Sequence, residues 1–159
     1  MGCLRLIFVP LAVLAGYIVT GLVVLVGLFA ILFGAGVEFA YAGDTWRASD
    51  AFSAASLVVG FLAALAGGFV ATRVGGRLAL LGLAAVVAIG GLVTATGLAR
   101  ETDAIRFEGR PEKRPTELDW TKAPVWSETP VWAEWGNVAV GLVGVLVGGA
   151  GALGRRKEK

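Results

Sequence analysis

The stretch at residues 67–82, GGFVATRVGGRLALLG, joins two long apolar runs through a short basic turn. Arg73 and Arg77 flank a pair of glycines, and uncharged residues extend far on either side of them. A connection this short makes the flanking helices antiparallel neighbours. Basic residues in a short connection also mark the cytoplasmic side of a membrane protein. The stretch therefore predicts a helical hairpin with a positively charged tip.

The composition points to the bilayer as the solvent of this chain. Of 159 residues, 57% are hydrophobic and 16% are charged, and the mean hydropathy is +0.78. Soluble domains carry about 25% charged residues. A water-soluble fold of this length could not hide so much apolar surface in one core. We therefore expect an all-α membrane protein, a single domain over residues 1–159 with four transmembrane helices in a small bundle.

The four predicted helices follow the apolar runs, each of which reaches the roughly 20 residues that one crossing requires. Ala40-Tyr41-Ala42 resembles a signal-peptide cleavage site. The apolar run before it is about twice the 7–15 residues of a signal peptide, however, so we expect the first helix to stay uncleaved. The predicted helices cover residues 6–33, 51–72, 78–99 and 131–153.

Polar connections separate these helices. Ser49 or Asp50 suits the N-cap of the second helix, and Thr129 followed by Pro130 suits the start of the fourth. Residues 100–129 carry thirteen charged residues, three prolines and two tryptophans. Thirty residues are too few for an independent core. We expect this segment to be an extended, membrane-proximal loop, with at most one helical turn or a short hairpin.

Charge asymmetry predicts the orientation. The turn and both termini together hold seven basic residues and one acidic residue, whereas the other side holds the remaining seven basic and eleven acidic residues, Glu134 included. The positive-inside rule places the basic side in the cytoplasm. We expect a multi-pass protein of the plasma (inner) membrane with cytoplasmic N- and C-termini. The acidic connections then face away from the cytoplasm.

No catalytic, cofactor-binding or metal-binding residue is predicted. The chain has no histidine and one cysteine, which excludes imidazole chemistry and an internal disulfide. The carboxylates of residues 100–129 alternate with basic residues and lack the spacing of a calcium loop. No phosphate-binding glycine motif is present. We expect a chain that is not an enzyme, uses no cofactor and, at a net charge of +2, binds no nucleic acid.

Glu134 and Asn137 are the strongly polar residues well inside an apolar run. A polar path for a transported ion is one interpretation, because ionisable groups within membrane helices mark such paths. A structural role is the other. Glu134 lies near a helix N-terminus, where the helix dipole favours a carboxylate, and between Trp132 and Trp135, which suit the membrane interface. The direction in which Glu134 points separates the two interpretations.

Small residues recur on one face of several predicted helices. In lipid, such faces let helices approach closely. The neighbour is a helix of the same chain, a second copy, or another membrane protein. Leucine at Gly144 or Gly148 should therefore disrupt packing, whereas Val145 is predicted to point elsewhere. On the fourth helix the face consists of Asn137, Gly141, Gly144, Gly148 and Gly151.

The hairpin GGFVATRVGGR, residues 67–77, resembles the helix–basic turn–helix of uncharacterised small bacterial four-helix integral membrane proteins. This resemblance implies a fold but no activity. Small multidrug transporters also have four helices, but their first helix holds a glutamate, and nothing charged lies between Arg5 and Glu38 here. We expect a non-catalytic accessory or structural protein that uses its outer loop and glycine-rich faces for protein contacts. The alternatives are a small transporter or channel component and a subunit of a larger membrane complex.

Overall fold

The computed structural model describes residues 2–98, 107–115 and 123–157. Its regular structure in these residues is helical, accompanied by two isolated β-bridges. The all-α class is thus confirmed. The helices are α1 (Gly2–Ala35), α2 (Val37–Ala40), α3 (Asp50–Ala95), α4 (Ala123–Trp126) and α5 (Val131–Lys157).

Helix α3 folds back on itself at Gly76. This glycine has φ 72° and ψ −156°, a backbone conformation essentially restricted to glycine. A β-carbon placed on Gly16 of α1 would lie 2.7 Å from Ala71 Cβ and 3.0 Å from Leu83 Cδ2. In a straight helix, residues 71 and 83 would be about 18 Å apart and could not both contact Gly16. Helix α3 therefore forms a hairpin at the turn that the sequence indicates. Its first limb consists of residues 50–75, and its second limb consists of residues 77–95.

The first limb lies between α1 and α5. A β-carbon on Gly16 would lie 2.7 Å from the carbonyl oxygen of Gly67, and one on Gly67 would lie 2.6 Å from that of Gly16. On the α5 side, a β-carbon on Gly144 would lie 2.7 Å from Ala64 Cβ and 2.8 Å from the carbonyl oxygen of Phe61. Small residues thus bring backbones close on both sides. The glycine face of α5 packs within the chain.

The contacts fix which segments share an end. At the turn, a β-carbon on Gly75 would lie 2.6 Å from Ala12 Cβ, and one on Gly149 would lie 2.8 Å from Thr72 Oγ1. The N-terminal half of α1, the turn of α3 and the C-terminal half of α5 therefore meet at one end, the turn end. The opposite end, the cap end, holds the connections at residues 36–49, 107–115 and 123–130.

The outer faces of the long helices are apolar. Val26 of α1 is 67% exposed and Ile89 of α3 is 64% exposed. Three segments are long and apolar enough to cross a membrane, namely Phe8–Ala35, Asp50–Ala95 and Val131–Gly154. A water-soluble chain would bury such surfaces. These features are those of a membrane protein.

Helix boundaries agree with the sequence-based expectations to within a few residues. Ser49 is the N-cap of α3, and its hydroxyl accepts a 3.0 Å hydrogen bond from the Phe52 amide. The start of α5 differs from expectation. The Pro130 carbonyl accepts from the Glu134 amide at 3.2 Å, so Pro130 rather than Thr129 occupies the N-cap position. α1 and α5 are longer than predicted, and α3 ends at Ala95 rather than near residue 99.

The prediction for Val145 is wrong. This residue is fully buried and belongs to the main core together with Leu83. Helix α5 packs against both limbs of α3, so its glycine face is not its sole buried face. Gly151, placed by its spacing on the packed face, is exposed instead. Leu146 and Val147, which directly follow Val145 in the chain, are also exposed.

Candidate functional site

Two polar connections join at the cap end to form one folded unit, the cap, which consists of residues 36–49 from the first connection and residues 107–115 and 123–130 from the second. The Ala48 amide donates to the Glu128 carbonyl, and the Glu128 amide donates to the Trp46 carbonyl, both at 2.9 Å. The Arg114 amide donates to the Asp44 carbonyl at 2.8 Å. Residues 44–48 therefore hold both segments of the second connection.

Aromatic side chains form the core of the cap. Trp46 is 4% exposed, and its ring meets Trp126 edge-on at 5.2 Å and Tyr41 edge-on at 6.1 Å between ring centroids. The Trp46 indole N–H donates to the Pro111 carbonyl at 2.9 Å. The Tyr41 hydroxyl donates to the Ala123 carbonyl at 3.3 Å. Each buried polar tip thus has a partner from another connection.

This packing corrects the expectation of an extended loop. Residues 107–115 and 123–129 pack on residues 36–49 instead of forming an extended loop, whereas the single helical turn that was expected is present as α4. Residues 100–129 alone are too few for a core. The core arises because two polar connections contribute to it jointly. Residues 100–106 and 116–122, including Trp120, lie outside the described residues.

Arg114 is a buried cation that holds the cap together. Its side chain is 3% exposed. Nη2 donates to Glu38 Oε1 at 3.0 Å and to the Gly43 carbonyl at 3.1 Å, and the guanidinium lies 5.3 Å from the centre of the Tyr41 ring. The Glu38 side chain is 81% exposed, so solvent weakens the ion pair itself, and the buried guanidinium also relies on its hydrogen bond to the Gly43 carbonyl. Arg114 therefore links residues 107–115 to Glu38 of α2 and to the connection that follows α2.

Arg110 makes a second, more exposed link. Its Nη1 donates to Glu128 Oε1 and, at 3.2 Å, to the Trp126 carbonyl. The guanidinium also lies 4.2 Å from the centre of the Phe107 ring. Exposed ion pairs contribute roughly 0–1 kcal/mol. Arg110 therefore supports the cap, and Arg114, whose guanidinium is the more deeply buried of the two, is the central clamp.

Glu134 and Asn137 lie three residues apart near the start of α5. Glu134 is half-buried, and its Oε2 has no hydrogen-bond partner among the described residues. Asn137 is exposed beside Gly60, where a β-carbon would lie 3.6 Å from Asn137 Oδ1. At the same level the Trp132 indole donates to Asp50 Oδ1 at 3.2 Å, which joins the starts of α5 and α3.

A cavity of about 290 Å³ lies between the cap and the C-terminal half of α1. Leucines and Phe29 of α1 and Phe52 of α3 line most of it, and Ser127 and Thr129 line its cap side. Neither Glu134 nor Asn137 lines this cavity. Its chemistry is that of an apolar binding site rather than an ion path.

Within the described residues, no group of three histidine, cysteine, aspartate or glutamate side chains is placed to hold a metal ion. Sequence reasoning missed Tyr41, Trp46 and Arg114 as partners. The available signal was that aromatic residues occur in both polar connections, although no local sequence pattern shows which of them pair.

No family model, curated protein or solved structure matches the chain. The resemblance to small bacterial four-helix membrane proteins stays a hypothesis.

Proposed function

We propose that this chain is a non-catalytic accessory membrane protein that displays the cap to a protein partner outside the cytoplasm. The observation that carries the proposal is the packing of the cap around the buried side chains of Trp46 and Arg114. Binding loses less conformational entropy when the binding surface is already ordered. The exposed surface of the cap carries charges of both signs, including Glu38, Asp44, Arg47, Glu108 and Lys113.

The proposal includes four membrane crossings by a four-helix bundle. The hydrocarbon core of a bilayer is about 30 Å thick. At 1.5 Å per residue, the first limb of α3 is about 39 Å long and the second limb about 28 Å, so each suits one crossing. The positive-inside rule assigns the turn end, with exposed Arg73 and Arg77, to the cytoplasm. The cap then lies on the opposite side of the plasma (inner) membrane.

Reporter fusions test this topology. A reporter after Lys159 should signal the cytoplasm, and one inserted after Glu112 should signal the other side. A matched reporter within the turn, after Gly75, should agree with the one at Lys159. Signals from the same side at Lys159 and Glu112 would contradict the four crossings.

Chemical crosslinking in native membranes tests the partner. The wild-type chain should crosslink to one defined protein. Charge reversal at exposed Lys113 and Glu108, which leaves the clamp intact, should weaken this crosslink, and Arg114→Leu should abolish it by loosening the cap. Leu78→Ala, on an exposed apolar face of α3, is the control that should leave it unchanged. A crosslink that survives both cap changes would contradict display by the cap.

The transport alternative has one observation in its favour, namely that the buried Oε2 of Glu134 has no hydrogen-bond partner among the described residues. If this carboxyl group carries a proton or cation, Glu134→Gln should abolish flux in proteoliposomes without lowering stability. Equal flux in the wild type and in Glu134→Gln, or no flux in either, would contradict transport through Glu134 and leave the accessory role. The third candidate, a subunit of a larger complex, predicts several co-purifying proteins in fixed ratio instead of one crosslinked partner.

A further inference from the structure

We propose that the cavity beneath the cap binds one acyl chain of a membrane lipid, which enters from the side of α1. The cavity, about 290 Å³, is open on one side and lies where α1 meets the cap. This inference rests on the proposed membrane insertion. It does not depend on the partner or on the orientation of the chain.

The lining of the cavity suits a hydrocarbon chain. Leu25, Leu28 and Leu32 of α1 line one wall, which runs about 10 Å along the helix axis. Phe29 and Phe52 complete the apolar surface. Apolar cavities stay dry and accept apolar guests. Drug-sized ligands occupy roughly 300–1,000 Å³, so this cavity holds a single chain rather than a whole lipid.

The polar groups at the cap side do not call for a polar ligand. The Tyr41 hydroxyl donates to the Ala123 carbonyl at 3.3 Å and accepts from Ser127 Oγ at 3.2 Å. These groups are therefore satisfied within the cap. Thr129, which also lines the cavity, is exposed at this end and is suited to face the headgroup region. The chemistry favours an amphiphile with its chain pointing away from the cap.

The opening faces the apolar outer surface of α1. Leu25 and Phe29 line the cavity, yet they are 53% and 45% exposed. Val26 and Phe33, on the adjoining turns, are 67% and 76% exposed. The cavity is thus continuous with a surface that meets hydrocarbon in a membrane. Lipid can reach it without passing through the cap.

Photo-crosslinking tests the proposal with the full chain in nanodiscs. The probe is phosphatidylglycerol with a diazirine in the part of one acyl chain nearest the ester, which is the part that the cavity would hold, and the labelled residues are mapped by mass spectrometry. Leu28 and Phe52 should be labelled, and unlabelled phosphatidylglycerol should compete at low mole fraction. Val58, which is 61% exposed on α3, contacts the ordinary surrounding lipid. Its labelling should fall only in proportion to the fraction of unlabelled phosphatidylglycerol that is added.

A filling variant supplies the decisive comparison. Ala48 lines the cavity, so Ala48→Leu should lower the competable labelling by about tenfold, equivalent to about 1.4 kcal/mol, without changing Val58. Phe29→Ala, which enlarges the cavity, should keep or raise the labelling and remains informative if Ala48→Leu does not fold. The proposal would be overturned if labelling at Leu28 and Phe52 were diluted in the same way as at Val58, if Ala48→Leu left it unchanged, if Phe29→Ala lowered it, or if crosslinks between copies replaced it. Absence of labelling at Val58 itself would instead contradict membrane insertion.

Discussion

Alanine substitution at two glycines of α5 tests the close approach of α5 and α3. A β-carbon on Gly148 would lie 2.9 Å from the Leu65 carbonyl carbon and 3.0 Å from Leu65 Cα. These are backbone atoms, which cannot rotate away as a side-chain end can. Gly151 lies one turn further along α5. A β-carbon on Gly151 would have no described atom within 4 Å, apart from its chain neighbours and the nearby backbone of α5 itself. The two sites therefore receive the same methyl group in opposite surroundings.

The expected difference follows from two terms. Both variants gain helix propensity, roughly 1 kcal/mol in water, so this term cancels between them. Gly148→Ala alone forces α5 away from α3, and overpacking costs roughly 1–3 kcal/mol. The free energy of unfolding should therefore be about 1–3 kcal/mol lower for Gly148→Ala than for Gly151→Ala. For a chain of this size, each kcal/mol shifts the melting temperature by roughly 2–4 °C.

Thermal unfolding in a mild detergent, followed by circular dichroism, measures the difference. Gly148→Ala should melt below the wild type, and Gly151→Ala at or above it. Val145 is unsuitable as a control because it is buried in the core. If the two alanine variants melt together, the backbones of α5 and α3 are not in contact at Gly148 and the packing argument fails.

Three further substitutions test local features. Gly76→Ala should destabilise the hairpin by roughly 1–3 kcal/mol, because alanine rarely adopts the positive φ of this position. Gly90 lies at an ordinary helical position with open space around it, so Gly90→Ala should not destabilise the hairpin. Equal melting temperatures of the two variants would contradict the turn at Gly76. Ser49→Ala removes both the N-cap of α3 and the hydrogen bond that its hydroxyl donates to the Phe39 carbonyl, and it should cost about 1 kcal/mol in chemical unfolding, with restoration by threonine, which keeps the hydroxyl, as the check. Trp46→Phe leaves the Pro111 carbonyl without its donor and should speed proteolysis of the cap, and an unchanged cleavage rate would count against an aromatic core.

The sequence by itself determined the all-α class, the approximate helix positions and the turn. These features depend on local properties, namely the lengths of the apolar runs and the glycines beside Arg73 and Arg77. Ser49 was identifiable as a cap for the same reason, since its partner lies three residues away. Such features require no knowledge of which helix packs beside which.

Only the tertiary structure decided the cap, the cavity and the buried faces of α5. Arg114 and Glu38 are 76 residues apart, and Trp46 and Pro111 are 65 apart, so no local pattern pairs them. The spacing of the glycines indicated one close face of α5, but both limbs of α3 contact this helix, and Val145 is buried as a result. The cap folds because the helices bring two short polar connections to the same end, where each supplies the partners that the other lacks.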